Sequence, residues 1–70
     1  MLAFVIVFTM TLGKVETVYT FHSGKELYKT EEACDTKAVE WCVDLIHFAE
    51  SLGATAVTER KCFIPDYRDT

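Results

Sequence analysis

Clusters of basic residues are missing from this sequence: seven Lys and Arg stand against eleven Asp and Glu, for a net charge of -4 at pH 7. A sequence-independent grip on nucleic acid needs basic side chains to displace condensed counterions, so direct nucleic-acid binding is not expected. Long apolar runs are missing too. The stretch from Met1 ends near Leu12, well short of the roughly 20 residues a membrane-spanning helix requires, so no membrane partner is expected. No Lys or Arg precedes it, and Gly13-Lys14-Val15-Glu16 follows where a secretory signal would place small cleavage-site residues. The chain has no phosphate-cradling glycine loop, no nucleophile elbow and no Ser-His-Asp set. Its three cysteines, spaced by eight and twenty, do not form the paired C-x-x-C pattern of zinc sites, so neither metal nor cofactor is expected. Only 26% of residues are charged while half are apolar, which excludes a disordered linker. For 70 residues a single domain is expected.

What is present reads first as a strand. From Leu2 to Thr11 the run is rich in β-branched and aromatic residues, with Leu2, Phe4, Ile6, Phe8 and Met10 on one face and smaller groups on the other. Gly13-Lys14 suits a two-residue hairpin turn with Gly at its first central position, so Leu12 opposes Val15 and the same register sum holds for every further pair. Met10 then opposes Thr17, Phe8 opposes Tyr19 and Ile6 opposes Phe21, which gathers the bulky side chains on one face. Val5, Val7, Thr9, Thr11, Glu16, Val18, Thr20 and His22 share the other.

Ser23-Gly24 breaks the second strand, and 26-28 is either a short extra strand or an extended approach to a helix. Thr30 is placed as an N-cap before Glu31 and Glu32, and Gly53 as the stop, so a helix is expected over 31-52. Its core stripe is Cys34, Ala38, Trp41, Leu45, Phe48 and Leu52, widened by Cys42, Ile46 and Ala49. Ala54 to Ile64 reads as a last strand before Pro65, and 66-70 as a poorly ordered polar tail. A helix lying back across the sheet returns the last strand antiparallel to the first. The expected fold is therefore a single α+β domain over 1-65, with a three-stranded antiparallel sheet in the order 2-1-3, ββαβ connectivity, and one helix on one face.

Counting back from the turn at Gly53, roughly 27 Å of helix leads to Cys34 and roughly 26 Å of strand leads to Cys62, so the two sit level. A bridge between them would contribute roughly 3.5 kcal/mol by the chain-entropy argument. The expectation adopted is instead three small buried thiols in a reducing bacterial cytoplasm, with the Cys34-Cys62 bridge as the alternative.

Charge is concentrated in one segment. Residues 31-53 hold six acids against Lys37, or -5, while 14-30 carry +1 and the remainder is neutral. Glu40, Asp44 and His47 share a helix face with Val43, which the core does not need. An acid-imidazole cluster of this kind is ordinary helix solvation, so no catalytic residue is assigned. Such a face would instead steer the protein to a host protein with a basic surface. If the helix packs on the bulky side, Val5, Val7 and Val18 stand uncovered on the outer sheet face, where they would suit a homodimer.

Met1-Leu2-Ala3-Phe4-Val5, Tyr28-Lys29-Thr30-Glu31-Glu32-Ala33-Cys34 and Cys62-Phe63-Ile64-Pro65 are similar to an uncharacterised family of short enterobacterial prophage proteins. Thr30-Glu31-Glu32-Ala33, Glu40-Trp41 and Val57-Thr58-Glu59-Arg60-Lys61-Cys62 resemble the helix start, mid-helix and final strand of the small phage T7 inhibitor of bacterial RNA polymerase. The first resemblance implies a prophage origin and no activity, the second a polymerase-binding role. Together with the acidic helix face they lead to the expectation of a non-enzymatic phage-type protein that inhibits or modulates a host nucleic-acid-handling complex, RNA polymerase or CRISPR-type defence machinery. The alternative is a self-associating structural or accessory protein that uses the apolar outer sheet face. Arg60 and Lys61 stand where the inhibitor has an arginine-bearing strand, and they join Glu40, Val43, Asp44 and His47 as expected partner-binding residues.

Overall fold

The alternating N-terminal run extends as strand β1, Ala3–Leu12, and doubles back into β2, Val15–His22. Gly13 turns with φ +62° while Lys14 keeps a negative φ, the signature of the tight hairpin turn whose first central position favours glycine. The register is the expected one, with Leu12 opposite Val15, Phe8 opposite Tyr19 and Ile6 opposite Phe21. Helix α1, Glu31–Ser51, follows, then β3, Thr55–Phe63, which pairs antiparallel with β1 so that Phe4 faces Cys62 and Thr11 faces Thr55. The sheet order is β2-β1-β3. The computed structural model describes residues 1–65, so the expected polar tail at 66-70 lies outside the described residues.

Local chemistry sets the helix limits. Thr30 is extended and its hydroxyl accepts a hydrogen bond from the Ala33 amide at 3.1 Å, a cap worth about 1 kcal/mol. At the other end Leu52 and Gly53 donate their amides to the carbonyls of Ala49 and Glu50, and Gly53 turns the chain with φ +76°. Residues 26-28 form no strand. Tyr28 instead makes a single bridge, exchanging both backbone hydrogen bonds with Leu2 at 2.7 and 2.8 Å.

The core uses the small members of the expected helix stripe and leaves two of its large ones outside. Cys34, Ala38, Cys42 and Ala49 are the buried helix residues, seated on Phe4, Ile6 and Phe8 of β1 with Ala54 below. Trp41 and Leu45 are half-buried, while Phe48 and Leu52 are 55% and 47% exposed. The reason is steric. Small side chains let the helix approach the sheet closely, and α1 accordingly lies over β1 and β3 with no Cα within 8 Å of β2.

A second correction concerns the thiols. Cys34 and Cys62 form a disulfide, with Cα atoms 6.3 Å apart across 28 residues of sequence, and only Cys42 is free and buried. The antiparallel return brings the two levels together, and both side chains face the helix-sheet interface.

Candidate functional site: an acidic helix face beside an apolar shelf

Four residues expected to bind a partner do share one surface. Glu40 and Asp44, and Val43 and His47, are each one turn apart on α1, and all four are exposed. Lys37 approaches Glu40 at 3.7 Å, but both side chains are solvated and the pair neutralises little. Asp44 makes no ion pair among the described residues. The last turn carries no basic residue, so the negative end of the helix dipole adds to the field of Asp44 and Glu50.

Arg60 and Lys61 belong elsewhere. Arg60 lies on the helix side of β3, opposite Ile6, and its Nε donates to Oδ1 of Asp35 at 2.7 Å. That hydrogen bond and the charge of Asp35 raise the pKa of the guanidinium further. Lys61, opposite Val5, points to the outer sheet face. There it lines a shallow hollow with Val5, Val7 and Glu59, while the Val18 side chain is 57% exposed on the neighbouring strand β2. The six residues thus fall on three surfaces.

An apolar shelf adjoins the acidic face, formed by apolar residues not among the expected site residues. Because α1 is displaced toward β3, the inner face of β2 is left open. Phe21, Trp41 and Leu45 line a hollow with Asp44 at its rim. Tyr19 on β2 and Phe48 on α1 are 43% and 55% exposed, and Tyr19 stacks on Phe8 with ring centroids 6.1 Å apart. Two signals were available: the helix's small residues fall on a stripe beside its large ones, and one helix about 10 Å wide cannot cover three strands about 14 Å across.

At the helix entry, Tyr28 donates its hydroxyl to Glu26 at 2.8 Å. Shielding from solvent, then Glu26, pushes its pKa up to about 12. Among the described residues no group of three or more His, Cys, Asp or Glu is placed to hold a metal ion. No helix among them is long and apolar enough to cross a membrane.

Comparison with protein-family models, curated proteins and solved structures finds no match for this chain.

Proposed function

We propose that this chain is a non-enzymatic, phage-type binding protein that acts by occupying a basic surface of a host nucleic-acid-handling complex. RNA polymerase and CRISPR-type defence complexes are the target classes, since such machines present basic clefts to their substrates. One observation carries the reading: Glu40, Asp44 and His47 surround an exposed Val43 on a helix face whose acidity no last-turn base offsets, and Asp44 also rims the apolar shelf. Charge there steers association, and the adjoining apolar surface supplies contact area.

Reversing Glu40 and Asp44 to Lys tests it. Both positions are exposed, so stability is expected to shift by no more than about 0.5 kcal/mol each. Affinity for purified RNA polymerase or a CRISPR effector complex is expected to fall by about tenfold or more, and the wild-type affinity to weaken as salt rises. Unchanged affinity in the double variant would remove the helix face from the contact.

A further inference from the structure

The two edges of the sheet are unequal. The β3 edge carries Glu59, Arg60 and Lys61 in succession, with Arg60 tied to Asp35 and α1 lying above it, the kind of charged, covered edge that resists strand addition. The β2 edge has none of these guards. From Val15 to His22 it contains no Lys, Arg or Pro, its only acid is Glu16 near one end, and Val15, Val18 and Tyr19 are 65%, 57% and 43% exposed.

The direction of its free backbone groups is also fixed. Ser23 donates its amide to the Phe4 carbonyl at 3.0 Å, in the same register sum as the strand, so odd-numbered residues of β2 turn their polar groups toward β1. The even-numbered residues 16 to 22 turn theirs outward. An antiparallel neighbour in which paired residue numbers sum to 38 would exchange both backbone bonds with every one of them.

From this geometry we infer that β2 pairs with β2 of a second copy of this chain, joining two three-stranded sheets into one of six strands. A carboxylate acceptor set opposite an imidazole ring that can donate to it selects the partner and the register. In that register Glu16 faces His22 of the second copy and, by the two-fold symmetry, His22 faces Glu16 of the second copy, placing an acid against an imidazole at both ends. A slip of one pair the other way would set Lys14 against His22. On the inner face Tyr19 meets Tyr19 of the second copy and Thr17 meets Phe21, which joins the two open shelves into one apolar floor. Helix α1 does not obstruct the contact, because no part of its Cα trace approaches β2 within 8 Å.

Analytical ultracentrifugation of the purified chain over a concentration series reads the result. The wild type is expected to be dimeric, and Thr20→Pro to be monomeric with its far-UV spectrum retained, since the amide it removes points away from β1 and edge strands tolerate proline. A charge-swap cycle keeps the test independent of that variant. His22→Glu alone should weaken dimerisation by about tenfold by setting like charges opposite each other, and adding Glu16→Lys in the same chain should restore most of it. A wild type monomeric throughout would overturn the inference. So would a dimer indifferent to Thr20→Pro and the charge swap but broken by Val7→Lys, which would place the contact on the outer sheet face of Val5, Val7 and Val18.

Discussion

Two aromatic residues in contact carry different weights. Phe4 is fully buried, and Trp41 meets it edge-on with centroids 5.1 Å apart and planes at 80° while remaining half-buried itself. Phe4→Ala is expected to cost about 4 kcal/mol, most of the stability of a domain this small, whereas Trp41→Ala is expected to cost about 2 kcal/mol and leave a cooperative transition. Urea denaturation of the two variants checks the order, and a Trp41→Ala chain that fails to fold would return Trp41 to the centre of the core. Tyr28 gives a residue-scale prediction in pH. Its hydroxyl is held protonated to about 12 against an ordinary 10.0. The folded state therefore keeps a proton that the unfolded state loses first. That contribution is fully present below pH 10, declines as pH rises above it and is gone above about 12. Ultraviolet titration of phenolate is expected to show a late component that disappears in Tyr28→Phe, and the alkaline loss of stability should be shallower in that variant.

Elements were legible to the extent that their signals are local. The hairpin register follows from Gly13-Lys14 and from a side-chain period that penalises any one-residue slip, and the helix limits follow from Thr30 and Gly53. The rotation of the helix about its axis was not legible in the same way, because an apolar stripe centred on its largest members points to Trp41, Phe48 and Leu52. Within that expected stripe, close approach selected the small members Cys34, Ala38, Cys42 and Ala49 and left Phe48 and Leu52 exposed. This makes Ala38 and Ala49, both fully buried, the places where added volume has no room. Ala38→Leu is expected to cost about 2 kcal/mol or more by forcing helix and sheet apart, while Phe48→Ala on the open flank should change stability little. Thermal melts of the two variants decide it. The acidic site was legible as charge on one helix face, but the parting of Arg60 from Lys61 was not drawn from the sequence, although it follows from strand parity once Cys62 is turned inward.

At the scale of the whole molecule, a sheet with one bare face and a partly covered inner face gains little from burial alone, and the covalent link between helix and sheet takes up part of that deficit. The bridge joins Cys34 near the start of α1 to Cys62 near the end of β3, enclosing the rest of the helix and nearly all of the last strand in a loop spanning 28 residues of sequence. Closing a loop of that length stabilises by about 3.5 kcal/mol on the chain-entropy account, comparable with the low end of the total for a chain of this length. For a domain of this size each kcal/mol moves the melting temperature by about 4 to 8 °C, so reduction is expected to lower it by about 20 °C. The joint replacement Cys34→Ala and Cys62→Ala should do the same without reductant. Cys42→Ala provides the contrast, since that thiol is buried and unbridged and its loss removes only one sulfur from the packing. Calorimetry of the three proteins with and without reductant separates the effects, and equal melting temperatures for oxidised and reduced wild type would show that packing alone holds helix to sheet. In a reducing compartment the same arithmetic makes partner binding a second source of stability, because a ligand present at 100 times its Kd contributes about 2.7 kcal/mol to the folded state. The reduced protein is therefore expected to recover most of its lost melting temperature when mixed with saturating target, an effect the charge-reversed Glu40→Lys, Asp44→Lys chain should not show.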